Sequence, residues 1–196
     1  MNGPFEFKFM DDPRTGREKG ILEIRNCKTI FRNFAGAATK FTDAGRREFS
    51  VIIDEELGDI LKEDGWNVKM YKDRNGEMDL PYIKVKVNYR DEKDERKAAL
   101  DPVVHVIKNN KMEDLNENTV GMLDWATIEN VDIRISPYHW NFNGSSGVSG
   151  YLKEAWVTLA VDELERFYVD CGSSCDGDCD KCKSNDMEMP FAFEGD

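Results

Sequence analysis

Residues Ile21–Ile53 read ILEIRNCKTIFRNFAGAATKFTDAGRREFSVII, and this stretch decides the fold class. Leu22, Ile24, Ile30 and Phe31 form the apolar side of a strand over Ile21–Arg32, with a phase shift near Cys27 that predicts a bulge. Asn33–Gly45 is rich in small residues and reads as the loop of a long hairpin. Arg46–Ile53 is the return strand. Strands that arrive as hairpins, rather than alternating with helices, argue against a parallel βαβ sheet.

The same pattern extends on both sides. Asp54 is positioned to cap a helix with Glu55 and Glu56 in its first turn, Leu57, Ile60 and Leu61 on one face, and Gly65 as its stop. Trp66–Lys72 reads as a strand and Arg74-Asn75-Gly76 as a turn. Tyr82–Tyr89 alternates cleanly, with Ile83, Val85 and Val87 on the apolar side. Asp91–Lys97 is a mixed-charge loop, and Val103–Ile107 a short buried strand followed by a turn over Lys108–Lys111. Asn116–Asp124 reads as a short helix, Trp125–Ile135 as a strand, Pro137–Gly150 as a long loop with a flexible tip, and Tyr151–Ala160 as a last strand. Asp162–Val169 reads as a closing helix. Before all of these lies an arm, residues 1–20, in which Phe5, Phe7 and Phe9 have the period of an edge strand or an extended lead-in. Seven or eight strands and one clear helix predict a mainly β protein, a closed or half-closed antiparallel barrel with one or two helices.

The last 26 residues, Cys171–Asp196, are a different polymer. They hold four of the five cysteines, seven acidic residues against two lysines, and no valine, isoleucine or leucine. Such a segment buries too little apolar surface to offset its ordering entropy, which predicts a disordered acidic tail. Met189, Pro190, Phe191 and Phe193 near its end read as a contact point for partner proteins. The expected organisation is an arm (1–20), one folded domain (21–170) and a tail (171–196).

A net charge of −12 counts against a generic nucleic-acid binder and against an anionic membrane surface, unless positive charge is focused on one face. No run approaches the ~20 apolar residues of a membrane span, and the N-terminal residues carry no signal-peptide pattern, so a cytoplasmic setting is expected. Cys171, Cys175, Cys179 and Cys182 are then candidates for a Zn²⁺ loop, although their spacing differs from the usual two distant pairs. Disulfides and a reduced, metal-free tail are the alternatives. Asp176, Asp178 and Asp180 imitate the start of a calcium loop but lack its glycine and its final glutamate. The glycines at 144, 147 and 150 do not have the dinucleotide spacing. His105 falls in an apolar strand and reads as a core or edge histidine; His139 sits among aromatics. No third group orients a Cys27–histidine pair, and no catalytic constellation or required cofactor is expected.

Basic residues interleaved with aromatics remain. From Arg25 to Arg47 there are six positive residues and one negative, in a chain that is otherwise acidic. A positive groove that tracks phosphates, with aromatic faces that stack bases, is how single strands are held without sequence preference. The candidate contacts are Lys28, Arg32, Phe34, Lys40, Phe41, Arg46, Arg47, Lys84, Lys86, Arg134, Tyr138 and Trp140. Phe31, Trp66 and Trp156 are expected in the core instead. The acidic tail would lie in that groove when nucleic acid is absent and be released to partners when it is present.

NFAGAATKFTDAGRREFSVIIDEELGDILKEDGWNVK (Asn33–Lys69) and VDIRISPYHWNFNGSSGVSGYLKEAWVTL (Val131–Leu159) together resemble phage-encoded single-stranded DNA-binding proteins built on oligonucleotide-binding (OB) barrels. The resemblance implies an OB-like domain that acts in phage DNA replication or recombination. The tail is similar to the acidic, phenylalanine-tipped tails by which such proteins recruit replication and repair enzymes. The rival reading is a protein-interaction module, a host-factor binder or DNA mimic, whose positive residues would be neutralised by carboxylates of the body.

Overall fold

Asn143 and Gly144 both take positive φ, 50° and 79°, the conformation of a two-residue hairpin turn that Asn-Gly favours. They reverse the chain between two strands of 15 residues, Ile128–Phe142 and Ser145–Leu159. The structure is a computed structural model and describes residues 5–11, 18–40, 42–72, 79–89 and 101–161. In chain order the strands are β1 (Phe5–Asp11), β2 (Glu18–Ile24), β3 (Lys28–Asn33), β4 (Arg47–Ile52), β5 (Lys69–Lys72), β6 (Asp79–Val87), β7 (Val103–Lys108), β8 (Lys111–Leu115), β9 (Ile128–Phe142) and β10 (Ser145–Leu159). Helix α1 (Glu55–Glu63) lies between β4 and β5, and a 3₁₀ turn spans Val120–Asp124.

The long loop expected over Pro137–Gly150 is therefore part of the β9–β10 ladder. Its many glycines are explained by what they face. A Cβ on Gly147 would stand 2.8 Å from the Trp140 ring, and one on Gly150 2.8 Å from the Trp66 ring. Glycine in a strand marks such close approaches.

The hairpin is the spine of one ten-stranded sheet in the order β1-β2-β9-β10-β6-β4-β3, with β5 on β6, β7 on β10 and β8 on β7. Most pairs are antiparallel, but β10 runs parallel to β6 at Gly150–Tyr151 and to β7 over Glu154–Thr158. The ladder irregularity between Leu152 and Glu154 lies where β10 exchanges the first of these neighbours for the second.

The strand expected over Ile21–Arg32 is divided. β2 follows β9, with Leu22 opposite Ile135 and Ile24 opposite Ile133. Arg25–Cys27 then turn a corner, with Asn26 at φ 49°. The Cys27 amide still donates to the Val131 carbonyl at 2.9 Å, after which β3 pairs with β4. This bent segment carries the chain from β2, beside β9, to β3, beside β4; the strands form an open path rather than a closed cylinder, within the mainly β, OB-like class that the sequence predicts.

Inside it lie Leu22, Ile24, Phe34, Phe49, Val51, Ile83, Val85, Val87, Ile133, Ile135, Leu152 and Val157. The Asp54 side chain accepts from the Leu57 amide at 2.7 Å, Leu57 and Leu61 are buried, and Gly65 follows at φ 91°. Among the described residues no helix is long and apolar enough to cross a membrane. Residues 1–160 form one compact unit and 161–196 a second. Asp91–Lys97, the Asp162–Val169 helix and the whole of Cys171–Asp196 lie outside the described residues.

Across β1, β2 and β9 a buried carboxylate gathers three cations. Glu23 accepts from Lys8 and Arg134, each at 2.9 Å, and from Arg25. Burial alone would raise its pKa, but the hydrogen bonds from Lys8, Arg134 and Arg25 outweigh burial and lower it from 4.5 to about 2. The lowered folded-state value means that the stabilisation is complete above the unfolded pKa near 4.5. It is lost as pH falls towards 2. The shift corresponds to about 3 kcal/mol. Urea unfolding measured from pH 6 to pH 2.5 is expected to show stability falling through this window, and Glu23→Gln is expected to remove most of that slope.

Candidate nucleic-acid interface

Alternation along β4 and β6 sends Phe49, Val51, Ile83, Val85 and Val87 inward and Glu48, Ser50, Ile52, Tyr82, Lys84 and Lys86 outward, in the pairs Glu48–Lys86, Ser50–Lys84 and Ile52–Tyr82. Lys28 stands opposite Ile52 on β3, and Lys69 opposite Tyr82 on β5. The outward set continues onto β10 and β9, where Tyr151 is in register with Lys86 and Tyr138 with Ser149. These side chains share one face of the barrel.

Aromatic rings dominate that face. Phe31 lies 5.7 Å from Tyr71 and 5.9 Å from Tyr82, edge-on to both. Phe31 is 61% exposed. Tyr138 packs edge-on against Tyr151 at 6.2 Å, and the Lys86 ammonium sits 5.3 Å from the Tyr151 ring centre while donating to the Ser149 hydroxyl at 3.2 Å. Trp140 and Phe142 continue the row along β9, both exposed. Pairing between β3 and β4 is irregular from Ile30 to Asn33, and Phe31 adopts φ 51° there. A bulky residue in the left-handed region is strained by about 1–2 kcal/mol, and here the strain turns its ring outward.

The same irregularity reverses two expectations. Phe31, expected in the core, is on the surface. Phe34, expected to stack on bases, is 4% exposed and lies against Phe49 with centroids 4.9 Å apart. The turn at Val120–Asp124 secures it: Asp124 accepts from the Phe34 amide at 2.7 Å and from the Ala35 amide at 2.9 Å. Trp66 is in the core as expected, whereas Trp156 is only half-buried, between His105 and Arg134.

The basic candidates divide into groups. Lys28, Lys69 and Lys86 have no carboxylate partner among the described residues. Lys84 and Arg46 share Glu48, and Arg46 reaches it at 3.1 Å. Arg47 is a correction: it alternates away from this face, covers the Tyr89 ring at 5.6 Å and pairs with Glu117 at 2.9 Å. Tyr89 is partly buried there, which pushes its hydroxyl up to about 12. Arg134 is a second correction. It is held between Glu23 and Glu154, at 2.9 and 2.7 Å, and these carboxylates raise its pKa against the effect of burial. Arg32 donates to the Ala126 carbonyl at 2.9 Å, and Lys40 is exposed in the β3–β4 loop. Phe41 lies outside the described residues, as do Cys171, Cys175, Cys179, Cys182, Met189, Pro190, Phe191 and Phe193.

Sequence reasoning missed Phe31 and Tyr151 as surface aromatics; alternation does set Tyr82 on one face with Lys84 and Lys86, and Tyr71 falls beside Lys69 and Lys72, whereas nothing local marks Phe31. The remaining reactive groups are structural. Burial, with Asp132 nearby, pushes the Cys27 thiol up to about 12, and His105, on β7 between β10 and β8, lies 2.6 Å from Asp114. No group of three ligand-type side chains among the described residues could hold a metal.

The chain belongs to the family described as "Putative phage ssDNA-binding domain", which it matches over residues 15–190. Among solved structures it is similar to the single-stranded DNA-binding protein from bacteriophage Enc34, at 10% identity over 83% of this chain and 99% of that chain, with a TM-score of 0.47. The same phage protein in complex with ssDNA is similar at 10% identity over 72% and 88% of the two chains, with a TM-score of 0.46. Protein gp2.5, a single-stranded DNA binding protein encoded by bacteriophage T7, is similar at 14% identity over 89% and 98%, with a TM-score of 0.37. No curated protein matches the chain.

Phe34→Ala is expected to cost about 3–5 kcal/mol of folding stability, as core phenylalanines do. Phe31→Ala is expected to cost about 1 kcal/mol or less, because its ring is mostly in water. Thermal melts of the two variants side by side check the exchange of roles.

Proposed function

We propose that this chain binds single-stranded DNA without strong sequence preference, in phage DNA replication or recombination, within the host cytoplasm and without a resident cofactor. The observation that carries the reading is the continuous outer face on which Phe31, Tyr71, Tyr82, Tyr151, Tyr138 and Trp140 stand beside Lys28, Lys69, Lys84 and Lys86. Each ring offers a base a stacking partner that is indifferent to sequence, worth about 1–3 kcal/mol per base. Lys86 lies against the Tyr151 ring, Lys69 stands opposite Tyr82 and Lys28 opposite Ile52 on the same face, and these lysines would supply phosphate contacts that orient the strand without reading it. Family membership supports the same conclusion. The acidity of the chain as a whole is no obstacle, because binding depends on the charge of the face itself, where Lys28, Lys69, Lys84 and Lys86 stand together. Residues 171–196 would compete for the face when DNA is absent and recruit replication or recombination proteins through Met189, Pro190, Phe191 and Phe193 when it is bound.

Fluorescent oligothymidine titrated across a salt series tests this with the full chain and a chain ending at Val169. Affinity is expected to fall steeply with salt, at about 0.7 in log–log slope per phosphate contact, and to rise when the tail is removed. Phe31→Ala and Tyr82→Ala are each expected to weaken binding by about 1–3 kcal/mol with the fold intact. Absence of binding by either chain would leave the protein-partner reading in its place.

A further inference from the structure

We propose that Glu48 limits the strength of this interface by engaging Lys84 and Arg46, so that the face carries two functionally different classes of cation. The inference rests on the single-strand reading above and assigns Glu48 as a positioning residue within it. Glu48 lies at the centre of the outer face, opposite Lys86 in the β4–β6 ladder. Its side chain is nonetheless only 7% exposed. It accepts from Lys84, from Arg46 Nε at 3.1 Å and from the Thr42 hydroxyl at 3.5 Å. An acid among the lysines of a phosphate-binding surface is out of keeping with its surroundings, and its burial gives it a consequence.

A phosphate that approaches Lys84 must displace a carboxylate already in contact with it. The displaced carboxylate is largely shielded from water, and removing one partner of such a pair leaves a charge that is costly to strand. The new contact is therefore offset by the one it breaks. Lys86 differs, although it is the next outward residue on the same strand: its partners are the Ser149 hydroxyl and the Tyr151 ring, both neutral. Lys28 and Lys69 have no carboxylate partner among the described residues. Strand binding then draws mainly on Lys28, Lys69, Lys86 and the aromatic rings, while Lys84 and Arg46 are held in reserve. Such a device keeps affinity moderate.

Glu48→Gln keeps the size of the side chain and an acceptor oxygen and removes the charge. Oligothymidine binding by the full-length variant is expected to tighten roughly tenfold at low salt. Its log–log salt slope is expected to steepen by about 0.7–1.4, the equivalent of one or two added phosphate contacts. Lys84→Gln is expected to weaken binding more in the Glu48→Gln background than in the parent, and within the parent to cost less than Lys86→Gln. Unchanged or weaker binding by a Glu48→Gln chain that melts normally, with an unchanged slope, would overturn the proposal. If that variant does not fold, the parent-background comparison decides: Lys84→Gln costing as much as Lys86→Gln overturns it. Failure of the parent chain to bind oligothymidine would instead remove the single-strand reading, and this inference with it.

Discussion

The β9–β10 ladder is the constraint on which the rest of the structure depends. β2 docks on the outer edge of β9, and β6 and β7 dock in succession on the outer edge of β10. Through β6 the ladder also carries β4, β3 and β5. Its register is held by the Asn143-Gly144 turn at one end and by buried pairs such as Ile135–Leu152 and Val131–Val157 along its length. A slip of one residue would send these side chains to the surface and draw Tyr138 and Trp140 inward. One register thus builds both the core and the aromatic row above it.

Charge on the barrel exterior is organised by a few buried carboxylates rather than by overall composition. Glu23 collects Lys8, Arg25 and Arg134 on the β1–β2–β9 side, and Glu48 collects Lys84 and Arg46 on the β4–β6 side. Both are 7% exposed. A solvated carboxylate would be screened and free to move; a shielded one holds its partners in place. The excess of basic residues between Arg25 and Arg47 is accordingly divided. Arg25, Arg46 and Arg47 are each engaged by a carboxylate, and Lys28 has none among the described residues.

How much of this could be read in advance depended on how local the cause was. Helix α1 was readable from Asp54 to Gly65 because its cap, first-turn charges and stop lie within twelve residues. The inward set on β6 was readable because alternation is a property of the strand itself. Phe31 and Phe34 were assigned to each other's places, because a ladder irregularity shifts the side-chain phase between them and Asp124, ninety residues away, fixes the Phe34 backbone. Only the distal part of the β9–β10 hairpin, Pro137–Gly150, reads as a loop in the sequence, for a related reason. Its glycines are required by Trp140 and by Trp66, and Trp66 lies far off in the chain.

The sequence by itself determined the mainly β class, the amphipathic helix α1, the difference between the body and the acidic cysteine-rich end, and the pairing of lysines with aromatics on β6. These follow from period, capping and composition, which act over a few residues. Only the tertiary structure decided which rings face water and which cations remain open. Both depend on neighbours brought together from distant parts of the chain: Tyr71 and Tyr82 beside Phe31, Glu23 and Glu154 around Arg134, and Glu48 between Arg46 and Lys84. A side chain's exposure and its partners are set by packing across strands, and no local pattern encodes them.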